Sequence, residues 1–386
     1  MKYCIAFFLA MLFFSCSKYP TDTSGRNLYE MESVWQYLKT YCIWQDTLWN
    51  DTLPIDDFKF NTPKELLENV HDTLHGIDYT TYFNSGGGAL QSDVNATVDN
   101  VLVNGLVYTD SLADSTAYLL ICNEFTEDTY ASFLNAVAFV QKFHNIIIDL
   151  RYNGGGNLDA TDSIIQSILP DTTPYIVEKY RAYDHITRRA RTVEWDTIWT
   201  NHGRQLPALK NKRYVVLANR GSASASEIVV AALKDGFAHA ADTTVLAGDT
   251  TYGKGMGQIV ISREDLGRSD IRITFLRMKG LSNRIGYYHR KGILPDVHVD
   301  CDSLENLIAY ILGQINNFAS NSAFLQKEVD TLQGKCDSLN ISAALKVLEP
   351  SAHLRKQHIL QKRRNGAVSE IPESSMPALP EDVPFR

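Results

Sequence analysis

The chain has 386 residues, 44% of them hydrophobic and 21% charged, which is the balance of a folded protein long enough to bury a large core and to hold more than one structural unit. A net charge of −8, with no long basic tract in the central region, gives nucleic-acid binding no support.

In chain order, Lys2 is followed by an apolar run from Ile5 to Phe14 and then by Ser15-Cys16-Ser17-Lys18. The run is too short to span a bilayer comfortably, and a charged start, an apolar stretch and small residues describe a secretory signal. Cys16 at its end resembles a bacterial lipobox, so residues 1–16 read as a lipoprotein signal with Cys16 as the lipidated residue. A plain cleaved signal with an incidental cysteine is the alternative. Residues 17–27, rich in Ser, Thr, Asp and Gly, suit a tether.

From Leu28 to about Leu74 the pattern is helical, with Val34, Tyr37, Leu38 and Tyr41 on one face. Pro63 opens a second helix carrying Leu66, Leu67 and Val70. Gly86-Gly87-Gly88 breaks the chain, and a weakly alternating stretch runs from Val94 to Val107. Strands are then expected at Ala117–Phe125, Asn145–Leu150, Tyr214–Ala218 and Val245–Ala247. Helices are expected at Thr129–Phe143, Asp159–Leu169 and Ser224–Leu233. Strands alternating with helices argue an α/β core with parallel pairs, to which Gln258–Ser262 and Ile271–Arg277 add strands. Leu304–Gln333 reads as helical, with an apolar stripe from Leu304 to Ile315. Residues 349–386 turn basic and then rich in Pro, Glu and Ser, the composition of a disordered tail. The cysteines show no CxxC framework; Cys122 reads as a buried thiol, and Cys301 with Cys336 is the candidate disulfide in an exported chain.

Two segments carry most of the chemistry: Arg220-Gly221-Ser222-Ala223-Ser224-Ala225-Ser226-Glu227, and Tyr252-Gly253-Lys254-Gly255-Met256-Gly257-Gln258. Ser224-x-x-Glu227 matches a helix capping box. A serine at a helix start also sits beside unpaired N–H groups, so the Ala225 amide could serve an oxyanion. Ser222 and Ser226 compete with Ser224 as nucleophile. Lys254 is the candidate base: a free lysine titrates near ~10.4 and must be desolvated to act at neutral pH. Gln258 could orient the amine without adding charge, whereas a lone lysine in a loop is more often merely solvated. Asp149-Leu150-Arg151-Tyr152-Asn153-Gly154-Gly155-Gly156 runs from a buried strand into a glycine turn, where the amide of Gly155 or Gly156 could approach a carbonyl closely. No Gly-Lys-Ser/Thr follows, so a phosphate loop is a weak reading. His185, His239 and His289 fall in the core region without a motif, and the absence of HExxH leaves no metal and no cofactor expected.

Together these segments resemble the C-terminal processing, or tail-specific, serine proteases of peptidase family S41. Lys291-Gly292-Ile293-Leu294-Pro295-Asp296-Val297 is similar to the family's Gly-Ile-x-Pro-Asp segment, and His75–Phe83 to its Asp-x-x-Thr-x-Tyr stretch. The resemblance covers roughly residues 28–300. It implies Ser224 as nucleophile, Lys254 as general base, Gln258 as the residue orienting the lysine, and Ala225 with Gly155 or Gly156 as oxyanion hole. It also implies polypeptide substrates and a mixed α/β core of the crotonase-like (ClpP/crotonase) type. Relatives commonly insert a PDZ domain upstream of the core; residues 84–116 are too few for one, so the chain is expected to lack it or keep a remnant.

The expected organisation is therefore a signal and lipobox (1–16), a tether (17–27), an N-terminal helical domain (28–83) and a short linker (84–116). The catalytic core (117–300), a C-terminal helical extension (301–348) and the tail (349–386) follow. The expected function is an exported serine endopeptidase acting through an acyl-enzyme, lipid-anchored in the bacterial cell envelope, at the outer membrane facing the periplasm or the cell surface. The alternative is a catalytically inactive relative serving as a binding or scaffold protein of the envelope. A penicillin-binding-protein type of Ser/Lys site is excluded, because its Ser-x-x-Lys pattern occurs only at Ser15–Lys18 in the signal.

Overall fold

In the computed structural model, residues 28–44, 82–84, 105–184, 187, 189–240, 244–261, 270–301, 304 and 322–348 are described. The signal and Cys16, the Pro63 helix, most of the His75–Phe83 motif, the Gly86–Gly88 break, the stripe beyond Leu304 and the tail lie outside them. The chain divides into two compact units. One comprises Met1–Leu90, Lys179–Glu194 and Gly257–Leu276; the other comprises Gln91–Glu178, Trp195–Met256 and Arg277–Arg386.

The architecture is mixed α/β. The elements, in order, are α1 (Leu28–Tyr41), β1 (Tyr82–Asn84), β2 (Val107–Ala113), β3 (Thr116–Ile121), α2 (Thr129–Val140), β4 (Asn145–Asp149), α3 (Leu158–Ile168), β5 (Pro174–Asp184) and β6 (Arg189–Trp199). They continue with β7 (Arg213–Ala218), α4 (Ala225–His239), β8 (Thr244–Gly248), β9 (Met256–Ile261), β10 (Asp270–Lys279), β11 (Val297–His298) and α5 (Ser322–Leu348).

A six-stranded sheet in the order β11-β8-β7-β4-β3-β2 forms the frame of the larger unit. Strands β3, β4, β7, β8 and β11 pair in parallel, while β2 runs antiparallel on β3. Unbroken apolar runs such as Ile146–Ile148 and Val215–Leu217 suit strands covered on both faces. On one face Tyr118, Leu120, Ile147, Val215, Leu217 and Ala247 meet Ile341, Ala344, Leu345 and Leu348 of α5. Those four helical positions follow the i, i+3, i+4, i+7 pattern of an apolar stripe, which carries the helix beyond the expected end at Gln333. The alternate residues, among them Ala117, Leu119, Ile146, Ile148 and Val216, are equally buried. Helices α2, α3 and α4, which pack in series with strands β3 and β8, cover that second face.

Cys301 and Cys336 form the disulfide anticipated from the sequence, joining the end of the sheet to α5 across 35 residues of sequence. Cys42 and Cys122 are buried thiols. In the smaller unit Val34 and Leu38 of α1 are fully buried. The Ile43 N–H following α1 donates to the Thr274 carbonyl at 2.9 Å. A second sheet has the order β1-β10-β5-β6, with β9 on β10.

Candidate active site

Because β4, β7 and β8 are parallel neighbours, the loops that follow them leave the same edge of the sheet. This is where open α/β sheets place their ligands. These loops carry Asn153–Gly156, Ser222–Ser226 and Thr251–Lys254.

The loop after β7 distinguishes its three serines. Ser222 is fully buried; its hydroxyl donates to the Leu150 carbonyl at 2.8 Å and accepts the Asn219 N–H at 3.0 Å. Ser226 is fully buried as well, with its hydroxyl 2.8 Å from both the carbonyl and the Oδ1 of Asn153. Ser224 is half-buried and sits at φ 55°, ψ −117°, a conformation non-glycine residues rarely adopt. Such a residue costs roughly 1–3 kcal/mol and persists only where its surroundings impose it. The Glu227 N–H bonds the Ser224 carbonyl oxygen at 2.9 Å, and Ser224 and Glu227 meet in the arrangement of a capping box. Glu227 closes the box from its side, its carboxylate accepting the Ser224 N–H at 3.0 Å.

The loop after β4 lies directly against that turn. A Cβ on Gly155, whose φ is +102°, would stand 2.7 Å from the Ser224 Cβ and 2.9 Å from the Ala225 nitrogen. Only glycine fits there. The Gly155 N–H is occupied, donating to Asn153 Oδ1 at 3.0 Å. The N–H groups of Gly156 and Ala225 have no acceptor among the described residues. Asn153 therefore serves two loops at once, receiving Gly155 on one side and Ser226 on the other. The sequence names Gly155 and Gly156 alike; in the structure the Gly155 N–H is held by Asn153.

Lys254 is half-buried on the turn before β9, and its peptide N–H donates to Glu227 Oε2 at 2.7 Å. The other carboxylate oxygen, Oε1, accepts the Thr251 hydroxyl at 2.5 Å and the Gly253 N–H at 2.7 Å. Burial pushes this carboxyl up to about 7, while the four donors around it pull the other way. The segment Lys291–Ile293 backs the lysine turn. Ile293 N–H donates to the Thr251 hydroxyl at 2.7 Å, and a Cβ on Gly253 would meet the Gly292 nitrogen at 2.8 Å. His289, which sequence reasoning set aside, packs under the same turn: a Cβ on Gly255 would lie 3.1 Å from the His289 Cβ. Burial, with Arg290, Arg277 and Lys254 as positive neighbours, lowers its imidazole to about 3 and keeps it neutral.

The structure thus brings Ser224, Ala225, Gly155, Gly156 and the Lys254 turn together. Gln258 lies half-buried on β9, within the smaller unit. Sequence reasoning missed the second task of Glu227, although Ser-x-x-Glu was visible, and gave Asn153 no role although it stands within the glycine motif.

Residues 115–299 match the model of Peptidase family S41. Over 245 residues the chain is 29% identical to a "Probable CtpA-like serine protease" of Staphylococcus epidermidis, covering 63% of this chain and 43% of that one. Over 191 residues it is 31% identical to a protein of the same description from Staphylococcus aureus, covering 49% of this chain and 34% of that one. The chain therefore spans less than half the length of these curated relatives. Among solved structures, a photosystem II D1 C-terminal processing protease is similar at 26% identity and a TM-score of 0.38, over 52% of this chain and 49% of that one. The likeness to peptidase family S41 thus lies in residues 115–299, the segment that holds the loops after β4, β7 and β8.

Proposed function

We propose that this chain is a serine endopeptidase that cleaves polypeptides through an acyl-enzyme. Ser224 Oγ adds to the scissile carbonyl carbon while Lys254 Nζ, in its neutral form, takes the hydroxyl proton. Gln258 orients the lysine. The N–H of Ala225, aided by the positive end of α4, and the amide of Gly156 or Gly155 stabilise the oxyanion. Lys254 then returns its proton to the leaving amine, and water hydrolyses the ester by the same route in reverse.

One observation carries this reading. Of three serines in five residues, Ser222 and Ser226 are fully buried with their hydroxyls on backbone carbonyls, whereas Ser224 is half-buried on a strained turn beside the N–H groups of Gly156 and Ala225, which have no acceptor among the described residues. A binding or scaffold role would need neither the strain nor the free donors. The reading extends to a crotonase-like core and to an exported chain anchored through lipid at Cys16 in the cell envelope, both of which rest on the sequence.

The test is cleavage of an unfolded protein such as casein by the soluble chain lacking residues 1–16. Ser224→Ala and Lys254→Ala should abolish it, and Ser222→Ala should retain it. A well-folded parent that cleaves nothing overturns the proposal in favour of the binding reading, and a fully active Ser224→Ala overturns Ser224 as the nucleophile.

A further inference from the structure

Asp337 lies on α5, outside the segment that matches the family model, yet its carboxylate reaches the base of the glycine loop. We propose that Asp337, acting through Arg151, is a positioning residue that fixes the loop carrying Gly155 and Gly156, so that α5 is part of the catalytic apparatus. The proposal rests on the peptidase reading above for its effect on catalysis, and on geometry alone for its effect on the loop.

Arg151 is the first residue beyond β4, and its side chain is 1% exposed. Its guanidinium is shared between two fully buried carboxylates, with Nη2 2.7 Å from Asp149 Oδ2 and Nη1 2.9 Å from Asp337 Oδ1. Burial alone would lower its pKa, but Asp149 and Asp337 hold it well above the ordinary value, so the charge is permanent. Asp149, held in the sheet as the last residue of β4 and bonded by the Tyr118 hydroxyl, anchors one edge of the guanidinium. Asp337 is the partner from α5, and it holds the outer edge of the guanidinium by charge at close range rather than by an aligned hydrogen bond.

The chain that follows has little freedom. Tyr152 sits at φ 61°, with its N–H on Asn219 Oδ1 at 3.0 Å and its hydroxyl accepting Gln333 Nε2 of α5 at 3.1 Å. Next come Asn153, which holds the Gly155 N–H, and then the two candidate oxyanion glycines. Helix α5 thus grips two consecutive residues immediately upstream of Asn153. The helix is itself secured on both sides of Asp337: by the disulfide at Cys336, and by Ile341, Ala344, Leu345 and Leu348 on the sheet. Removal of the Asp337 charge should therefore leave the helix docked and loosen the loop.

The test compares the parent chain lacking residues 1–16 with Asp337→Asn, Gln333→Ala and, as a control on the exposed side of the same helix, Lys346→Gln. Three readouts are used below the melting temperature of every variant: kcat and KM on a peptide substrate, inhibition by a peptide aldehyde whose hemiacetal oxygen would occupy the oxyanion donors, and amide hydrogen exchange across residues 150–157. Asp337→Asn should lower kcat by about 10–100-fold, the scale of a misplaced catalytic group, with KM within about two-fold. Aldehyde affinity should fall in step with kcat, and exchange at 150–157 should accelerate, while Lys346→Gln changes none of these. Unchanged kcat and exchange in Asp337→Asn, with only a lower melting temperature, would show Asp337 to be a structural brace and overturn the proposal. If Asp337→Asn does not fold, Gln333→Ala decides by the same criteria. If the parent shows no Ser224-dependent cleavage, the peptidase reading fails separately, and exchange at 150–157 still decides whether α5 fixes the loop.

Discussion

Oε2 of Glu227 accepts the peptide N–H of Lys254 at 2.7 Å, and the same oxygen accepts the peptide N–H of Ser224 at 3.0 Å. One atom therefore bolts the backbone of the candidate base to the backbone of the candidate nucleophile. The side chain is fully buried, so its position does not drift with solvent.

Glu227→Gln keeps the shape and replaces one acceptor by a donor facing N–H groups. A buried donor left without an acceptor costs about 1–3 kcal/mol. The expected result is a loss of that order in urea unfolding and a fall in kcat of at least about ten-fold, since the two loops lose their common anchor. A variant with parental kcat would show that the Ser224 and Lys254 turns are held by other contacts.

Glu227 also makes stability depend on pH in a direction opposite to most carboxylates. Its folded pKa is raised to about 7 from an ordinary 4.5, so between those values the folded chain binds more protons than the unfolded one. Stability contributed by this group is then fully present below about 4.5 and declines as pH rises to about 7. At ~1.4 kcal/mol per pKa unit the span is on the order of 3 kcal/mol. Unfolding free energies of the parent minus those of Glu227→Gln, taken at pH 5 and pH 8, should fall by up to that amount. A difference that rises with pH would mean the four donors outweigh burial.

Ser222 and Ser226 are predicted to be structural. Ser226→Ala removes the hydroxyl that binds both acceptors of Asn153, and Ser222→Ala leaves the Asn219 N–H without its acceptor while the Leu150 carbonyl keeps the Asn153 N–H. Each should cost about 1–3 kcal/mol in unfolding while Ser224-dependent cleavage persists below the lowered midpoint. Complete loss of cleavage in well-folded Ser222→Ala would return that residue to candidacy as nucleophile.

Much of this was legible in the sequence for identifiable reasons. Strands β4, β7 and β8 announced themselves because both of their faces are buried, which writes unbroken apolar runs such as Asn145–Asp149. Strand β6 did not, because its residues are half-buried or exposed along their length and leave neither a run nor a clean alternation. Strand β2 carries Thr109, Asp110 and Ser111 in its middle, which leave no apolar alternation to read; the stretch expected over Val94–Val107 lies almost wholly outside the described residues. The Ser224 and Lys254 turns were readable as local motifs. The Arg151–Asp337 contact was not, since it joins residues far apart in sequence and depends on where α5 docks. Nor does the sequence show that Asn153 holds the Gly155 N–H, a bond that depends on how the glycine turn folds back.

The glycine loop offers a paired test of close approach. At Gly154 the nearest atom to an added Cβ is the Asn123 carbonyl oxygen at 4.0 Å, whereas at Gly155 the Ala223 carbonyl and Ser224 Cβ lie at 2.7 Å on a backbone of φ +102°. Gly154→Ala should behave as the parent. Gly155→Ala should push the Ser224 turn away from the loop and lower kcat by about 100-fold, the scale set by a displacement near 1 Å. Equal activity of the two variants would argue that the loops do not need to touch.

The Cys301–Cys336 disulfide closes a loop between residues 35 apart in sequence, which by chain entropy stabilises the fold by about 3–4 kcal/mol. Its effect should be separable from the Asp337 contact because Ile341–Leu348 of α5 are held by apolar burial that needs no thiol chemistry. Asn340, whose side chain donates to the Cys336 carbonyl at 3.0 Å, links the two halves of the helix. Dithiothreitol donates two electrons and two protons, leaving thiols at Cys301 and Cys336 and becoming a cyclic disulfide. The urea midpoint should drop, as it should in Cys301→Ser with Cys336→Ser, while contacts of Ile341–Leu348 survive in hydrogen exchange. The buried thiols Cys42 and Cys122 contribute nothing to that shift, so Cys122→Ser should respond to the reductant as the parent does. A midpoint indifferent to dithiothreitol would mean that the apolar half of α5 alone fixes the helix, and that the disulfide adds no stability of its own.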